Sequence, residues 1–480
     1  MTFKNFLRMA VLKTNAHWPF TLLNPMPYSW AIRQFVKTCQ HFPEIRSVYL
    51  RHALVQGQWT PGLSDIDLTV IIDRRVARAE EFAFLAAFWK RIGRLQGVFP
   101  MLGEIQILSE AHLDSWTRFG FEGRGAGNWE LLHGEETVSK TPRPVATGFA
   151  QDAFDFAFWF YLHNVTQVFS SHSAPRYLSL QDLLRLKRKI SRCLAVIAGS
   201  DAADGPSAPE AHSDATHILV TILAMLEEGL PTAGLAPGSG QAPDARQQWL
   251  LRRAGGHAGT SGKAPMADEF ANCGQVIRSV YLDPQQQPYV ILRDTFMLAA
   301  NRPCIDQVKR YFGAHDLPPV ILTGNLFAYM LHGFAPHRYA HFIKRATLAF
   351  GEPCLDEIGP PAEEAWQHDL LRQVPMLLMF PHSQGFMSPG WLETCSPGIF
   401  EVKLYQALAL KLYLDHGIVK PGIAGTIMEY DARYPAQAGE IRKLRAGLKE
   451  AKTPASSREW FVFFKGLADD IHAALSRNED

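Results

Sequence analysis

The sequence predicts an α+β protein with more than one domain. Residues 48–73 hold two apolar segments rich in β-branched side chains, separated by glycines and a proline, which is typical of two strands joined by a turn. Several flanking segments repeat apolar residues at helical spacing. Residues 199–215 and 231–268 are rich in Gly, Ala, Pro and Ser, a composition that indicates mobile linkers around one helix near 217–228.

We expect the first domain to cover residues 27–145. It should begin with an amphipathic helix at 27–42, followed by the two strands within 48–73. An Ala-rich helix at 74–94 has one apolar face, and an alternating strand follows at 103–108. These elements together predict a mixed sheet covered by helices.

Two acidic residues open the second strand. Asp65 and Asp67 lie two residues apart, so in a strand their side chains project from the same face. Two carboxylates at one strand end repel each other unless a cation lies between them, and Mg²⁺ prefers such oxygen ligands together with substrate phosphates. The same Asp-x-Asp pattern also occurs on solvated strand ends, which is the alternative interpretation.

The string LRHALVQGQWTPGLSDIDLTV resembles the signature of the DNA polymerase β-like nucleotidyltransferase superfamily, which includes the antibiotic adenylyltransferases. Seven residues match that signature: Gly57, Pro61, Gly62, Ser64, Asp65, Asp67 and Leu68. The chain departs from it at His52-Ala53, where the family has Gly-Ser. In the family, that glycine lets the backbone approach the triphosphate and that serine bonds a phosphate oxygen.

The resemblance implies a nucleotidyltransferase-fold domain that uses two Mg²⁺ ions and ATP as the nucleotide donor. Asp65 and Asp67 would hold the ion on the triphosphate, and Glu104 would be the third carboxylate, which helps to hold a second ion and acts as general base. The residues expected to contact the nucleotide are His52, Gly57, Ser64, Arg185 and Lys189.

The remaining chain carries less information. Residues 146–199 are predicted to form a helical region, including a helix that starts at an N-cap Ser179, and 200–274 a flexible linker with one helix. We expect 275–480 to form a mostly helical C-terminal domain that begins with a hairpin of strands 276–282 and 289–292. The predicted helices in it include residues 341–350, and no internal repeat is evident.

Charge and cysteine content narrow the function. The chain has 48 basic and 47 acidic residues, so a long nucleic acid is an unlikely partner. Six dispersed cysteines and the lack of a long apolar segment predict a soluble cytoplasmic protein that does not enter a membrane. The leading hypothesis is transfer of a nucleotidyl group, AMP from ATP, to a hydroxyl of a small molecule or protein. The alternatives are a degenerate domain that binds a nucleotide or partner without turnover, and an RNA-end nucleotidyltransferase.

Overall fold

The computed structural model describes the chain in separate segments. These segments are residues 3–15, 17–55, 57, 59–76, 78–119, 128–138, 149–170, 176–197, 214–232, 266, 268–283, 286–293, 298–315, 317–384, 397–420, 423–450 and 454–477. They form two compact units. The first unit contains residues 6–146 and 370–480, and the second contains residues 1–5 and 147–369.

A four-stranded mixed sheet forms the core of the first unit. Its strands are β1 (Ile45–Leu50), β2 (Ile66–Ile72), β3 (Leu102–Ser109) and β4 (Glu130–Gly134). They lie in the order β3-β2-β1-β4. β1 is antiparallel to β2 and to β4, whereas β2 and β3 are parallel. The strand pair predicted within 48–73 and the strand predicted at 103–108 are therefore present.

The second unit contains a sheet with the same topology. Its strands are β5 (Ile277–Leu282), β6 (Pro288–Leu292), β7 (Val320–Thr323) and β8 (Thr347–Gly351). Their order, β7-β6-β5-β8, repeats the first sheet strand for strand, with the same parallel and antiparallel pairs. The hairpin predicted at 276–292 is present, and β7 and β8 complete a sheet that the sequence did not predict.

The two sheets form an internal repeat. β1 and β5 have the same sequence, IRSVYL, and each is paired with its two neighbours through bulges at matching positions. The expectation that the chain has no internal repeat was wrong. Only one short segment is identical in sequence, whereas the repeated feature is the strand pairing, which depends on contacts between distant segments.

Helices before and between the strands of each sheet cover its core. In the first unit they are α1 (Phe3–Thr14, whose first residues belong to the second unit), α2 (Phe20–Leu23), α3 (Met26–Cys39), α4 (Arg78–Val98) and α5 (Leu113–Arg118). In the second unit they are α6 (Phe149–Phe160), α7 (Thr166–Ser170), α8 (Arg176–Ile197), α9 (Ala215–Thr232), α10 (Leu298–Ala314), α11 (Gly324–Tyr329) and α12 (Pro336–Arg345).

The C-terminal helices divide between the units. α13 (Glu363–Arg372) crosses the boundary at residue 369, and the helices after it belong to the first unit. These are α14 (Val374–Met379), α15 (Pro397–His416), α16 (Ile423–Arg433), α17 (Pro435–Glu450) and α18 (Pro454–Arg477). Residues 275–480 therefore do not form one compact unit, in contrast to the predicted C-terminal domain.

Buried polar contacts attach these late helices to the first sheet and its helices. The indole nitrogen of Trp89 on α4 donates to the carbonyl of His382 at 2.9 Å, and His112 Nε2 donates to Asp469 Oδ1 on α18 at 2.8 Å. Trp89 and His112 are both buried. Contacts between residues this far apart in sequence leave no periodic pattern, so domain boundaries read along the sequence missed them.

Three smaller expectations differ from the structure. α8 begins at Arg176, so Ser179 lies inside the helix instead of at its N-cap. The segment 341–350 contains the end of α12 and most of β8, so it is not one helix. The predicted linker 200–274 lies largely outside the described residues, but α9 confirms its helix, and near its end Phe270 and Cys273 are buried.

None of the helices in the described segments is both long enough and apolar enough to cross a membrane.

Candidate active site

The predicted carboxylates lie on two neighbouring parallel strands. Ile66 and Leu68 of β2 pair with Leu102 and Ile105 of β3, so Asp67 lies opposite the start of β3, where Glu104 is found. Asp65 immediately precedes β2 and is exposed. The parallel register therefore brings the three acidic residues to the same edge of the sheet.

Gly103 of β3 lies close to Asp65 and Asp67 at the start of β2. A Cβ at this position would lie 2.5 Å from Asp65 Cβ and 3.3 Å from Asp67 Oδ1, so a larger residue would displace one of the two aspartates. Sequence analysis did not identify Gly103 as a site residue. A glycine inside a strand is a recognised sign of close backbone approach, so the signal was present one residue before Glu104.

Glu104 lies beside a buried arginine. The guanidinium Nη2 of Arg51 is 3.4 Å from Glu104 Oε2, and the Gln106 amide donates to the other carboxylate oxygen at 3.2 Å. The Glu104 side chain is 55% exposed, whereas that of Arg51 is fully buried. The carboxylate therefore lies at the surface with one side against a fixed positive charge.

Arg51 follows β1 directly, and contacts hold both its side chain and its backbone. Its Nη1 donates to His52 Nε2 at 3.1 Å, its guanidinium lies 5.9 Å from the ring centre of Trp129, and its backbone N–H donates to the Asp67 carbonyl at 3.0 Å. The buried Nε atom has no hydrogen-bond partner in the described residues. Arg51 thus links the strand end, His52 and Glu104, a role that sequence analysis did not predict.

His52 occupies the position of the family glycine in a left-handed conformation. Its φ is +57°, a region that glycine adopts freely and other L-residues enter at a cost of roughly 1–2 kcal/mol. A guanidinium only donates hydrogen bonds, so His52 Nε2 accepts and carries no proton. This hydrogen bond fixes the orientation of the His52 ring against the Arg51 guanidinium.

The loop between β1 and β2 is anchored by residues nearer the N-terminus. The Arg8 Nε donates to the Gly62 carbonyl at 3.0 Å, and the Asn15 amide donates to the Pro61 carbonyl at 2.9 Å. The Tyr28 hydroxyl donates to the Ser64 carbonyl at 2.9 Å and accepts from the Gly62 N–H at 2.9 Å. The loop therefore reaches the strand edge in a defined path.

Two predicted nucleotide contacts lie in this loop. The buried Ser64 uses its hydroxyl to accept from the Thr60 N–H at 2.9 Å, so this oxygen closes the turn before β2. Gly57 is exposed with φ +68°, and a Cβ added there would meet nothing within 4 Å. The positive φ favours glycine at position 57, whereas the space around it would accommodate a side chain.

The predicted basic contacts belong to the second unit. Arg185 and Lys189 both lie on α8, and the Lys189 ammonium is 3.7 Å from the ring centre of Phe160 on α6. The structure therefore places Lys189 in a cation–π contact inside the second unit. Neither residue belongs to the unit that contains the three carboxylates.

The donor chemistry of the strand edge suits a divalent cation in part. Asp65 and Asp67 supply hard oxygen ligands beside a glycine that leaves space for them, and Glu104 is engaged by Arg51. Within the segments that the structure describes, no group of three or more His, Cys, Asp or Glu side chains is placed to hold a metal ion. The two aspartates therefore fit one ion, and a third carboxylate ligand requires Glu104 to leave Arg51.

Comparison of this chain with protein-family models, curated proteins and solved structures found no match.

Proposed function

We propose that the first unit transfers a nucleotidyl group, AMP from ATP, to a hydroxyl of a small molecule or a protein in a Mg²⁺-dependent reaction. The observation that supports this proposal best is the combination of a left-handed residue directly after β1 with two aspartates packed against Gly103 at the adjacent strand edge. The left-handed residue lies at the position of the glycine in the resembled signature, and the aspartates lie at the positions of its acidic pair.

The residues of the strand edge would have different roles in this reaction. Asp65 and Asp67 would hold the ion and so fix the triphosphate, whose charge the ion neutralises when bound. His52 would contact the triphosphate, since it lies where the family has the glycine of its Gly-Ser pair. The chain's contribution is then mainly alignment of the α-phosphorus with the acceptor.

Glu104 would take the proton of the acceptor hydroxyl. Its half-exposed carboxylate is accessible to an acceptor hydroxyl, which would attack the α-phosphorus as the bond to pyrophosphate breaks. The hydroxyl proton would pass to Glu104. Because Arg51 contacts the same carboxylate, this step requires the guanidinium to give up or share its contact.

A second candidate function is nucleotide binding without turnover. The contact between Arg51 and Glu104 favours it, since a carboxylate already engaged by an arginine has fewer oxygen lone pairs available to a metal ion. The His52 side chain at the glycine position also narrows the approach of a triphosphate. In this case the unit would bind nucleotide at Asp65 and Asp67 and transfer nothing.

Transfer of label from α-³²P-ATP to acceptors in a cell lysate with Mg²⁺ or Mn²⁺ tests the first proposal. We expect Asp67→Asn to lower labelling by roughly 10²-fold or more, the usual cost of losing one preorganised charged group. Asp73→Asn is the matched control, because Asp73 follows the other end of β2 and is paired with Arg75. Labelling that survives Asp67→Asn would overturn the proposal.

The second candidate predicts a different pair of results. The wild-type protein would give no labelling, while calorimetry would show that ATP binds with Mn²⁺ and that Asp67→Asn weakens this binding. Absence of both labelling and nucleotide binding would exclude the two candidates together.

A further inference from the structure

A cavity of about 440 Å³ lies between the outer faces of α3 and α4. It is separate in sequence from the carboxylates and from the loop that precedes them. Its lining consists of polar and basic side chains: Gln34, Lys37, Thr38, His41, Arg91 and Arg94. We refer to these six residues as the basic cleft.

The amphipathic pattern of the two helices explains why the cleft is basic. Phe35 on α3 and Phe88 on α4 are fully buried, with ring centres 6.4 Å apart. These rings fix which face of each helix is turned inward, so Lys37, Arg91 and Arg94 emerge on the exposed side of the pair. The guanidinium of Arg91 lies 5.2 Å from the ring centre of Phe42, which restricts its orientation.

The charges of the cleft are not neutralised within the described part of the chain. No described carboxylate lies within 4.0 Å of Lys37, Arg91 or Arg94. Other basic residues of the same unit are paired, as Arg75 is with Asp73. Three cations that face one cavity without a counter-charge repel each other, and an anion in the cavity would remove that repulsion.

The polar groups of the cleft complete a donor set. His41 donates from Nδ1 to the Lys37 carbonyl at 2.7 Å, which fixes the orientation of its ring at the edge of the cleft. Arginine forks and a lysine ammonium match phosphate oxygens, the arginines in a bidentate way. The volume is within the range of small-ligand sites.

We propose that the basic cleft binds an anion that carries two or more phosphate groups, either a free oligophosphate compound or a lipid headgroup. The three adjacent cations Lys37, Arg91 and Arg94 exceed the charge of about −2 that one phosphate group carries. The balanced net charge of the chain and the concave form of the site favour a compact anion over a long nucleic acid. This site goes beyond the proposed nucleotidyl transfer and does not depend on it.

Calorimetry with inorganic tripolyphosphate tests the proposal, in the presence of EDTA so that binding through a divalent ion at Asp65 and Asp67 is suppressed. We expect the double variant Arg91→Gln, Arg94→Gln to weaken binding by roughly tenfold or more, since charge-assisted hydrogen bonds are lost. The exposed Lys90→Gln on the same helix is the control and should weaken it by less than about twofold. Asp67→Asn should leave it unchanged, which separates this result from the proposed function.

Flotation with neutral vesicles and with vesicles that contain a polyphosphorylated phosphoinositide distinguishes the two sources of phosphate. Binding of tripolyphosphate, of the phosphoinositide vesicles, or of both, reduced only by the arginine variant, supports the cleft. Equal loss in Lys90→Gln and in the arginine variant would overturn it, because the effect would then be one of general surface charge. Binding of a single-stranded RNA through Arg91 and Arg94, with no binding of tripolyphosphate or vesicles, would also overturn it. Circular dichroism checks that each variant is folded.

Discussion

The two four-stranded sheets share a framework and differ at one edge. In the first sheet, residues 51–65 connect β1 to β2 and include His52, the anchored loop and Asp65. In the second sheet, the shorter segment 283–287 connects β5 to β6. Leu50 pairs with Leu68 in the first sheet, and Leu282 pairs with Pro288 in the second. Asp67 and Gln287 each come one residue before these pairs, so Gln287 occupies the position of Asp67.

The third carboxylate is also absent from the second sheet. Val70 pairs with Ile107 in the first sheet, and the equivalent Val290 pairs with Ile321 in the second. Glu104 lies three residues before Ile107 and Pro318 lies three residues before Ile321, so the two positions correspond. The Gln287 side-chain amide donates to the Pro318 carbonyl, so a hydrogen bond links these two positions. A sheet of this topology therefore forms without the acidic residues. The carboxylates of the first sheet are therefore not needed for a sheet of this topology to form.

The shared framework is held by the same side chains in both sheets. Tyr49 accepts the backbone N–H groups of Thr137 and Val138 at 2.7 and 3.1 Å. Tyr281 accepts those of Cys354 and Leu355 at 2.8 and 3.4 Å. Arg46 pairs with Glu135 after β4, and Arg278 pairs with Glu357 after β8. These contacts fix the segment that follows the last strand.

The largest expected effect comes from the glycine that ends the last strand of each sheet. Gly134 and Gly351 have φ of +85° and +83°, and a Cβ on either would collide with the carbonyl oxygen of Arg46 or Arg278. Gly134→Ala and Gly351→Ala should each destabilise their own sheet by more than about 4 kcal/mol. Hydrogen exchange with mass spectrometry, read on the β1 and β5 peptides, measures this.

Gly57→Ala is the control for these two variants. It has the same sign of φ but open space around it, so its cost should be only about 1 kcal/mol. Similar costs at all three glycines would show that backbone conformation, and not collision with the neighbouring strand, dominates. A loss of protection at only one of β1 and β5 would break the equivalence of the two sheets.

The second prediction contrasts Asp67 with Gln287. With a non-hydrolysable ATP analogue present, Asp67→Asn should weaken Mn²⁺ binding by roughly tenfold or more, because one carboxylate ligand is lost. Gln287→Asn, at the matching position of the second sheet, should leave Mn²⁺ affinity unchanged. Calorimetry gives both affinities. Equal weakening by the two variants would remove the distinction between a site-bearing sheet and a structural one.

The third prediction concerns the two tyrosines. Tyr49→Phe and Tyr281→Phe each remove the hydroxyl that accepts two backbone N–H groups. Each variant should therefore lower the free energy of unfolding by about 2 kcal/mol. Amide exchange at residues 137–138 and 354–355 should accelerate in the matching variant. Tyr311→Phe serves as control, since the Tyr311 hydroxyl has no partner among the described residues. Acceleration in that variant as well would point to a general loss of ring packing.

The smallest expected effect is a pH dependence confined to the first unit. Burial lowers the pKa of His112 to about 4, with the nearby Lys465 and His382 opposing its charge and Asp469 favouring it. The folded-state pKa lies below the unfolded value, so this contribution to stability is complete above the unfolded pKa and decreases as the pH falls toward about 4. Between about pH 7 and about pH 5.5 the loss should be about 1 kcal/mol.

Leu326 provides the matched substitution for this test. It is the buried residue of the second unit, on α11, that corresponds to His112 when residues are counted from Ile321 and Ile107. His112→Leu should therefore flatten the acid dependence of amide exchange in the first unit and leave the second unit unchanged. His472 lies near His112, with ring centres 5.4 Å apart, and Glu81 contacts His382 in the same cluster. An acid dependence that persists in His112→Leu would assign it to those groups.

Sequence by itself determined the local parts of this protein. Alternation placed Asp65 and Asp67 on one side of a strand edge, apolar periodicity predicted α3 and α4, and turn residues predicted the hairpin of β5 and β6. These features depend on neighbouring residues only. The α+β class followed from them, and the structure confirms it.

Only the tertiary structure decided how distant segments pair. It joined residues 370–480 to the first sheet, repeated that sheet around β5, and put Arg51 against Glu104. Each of these outcomes depends on register and side-chain complementarity between segments far apart in the chain, where periodicity carries no information. The arrangement of the acidic residues at the strand edge therefore depends on Gly103 and Arg51, whose contacts appear only when β2 and β3 are in register.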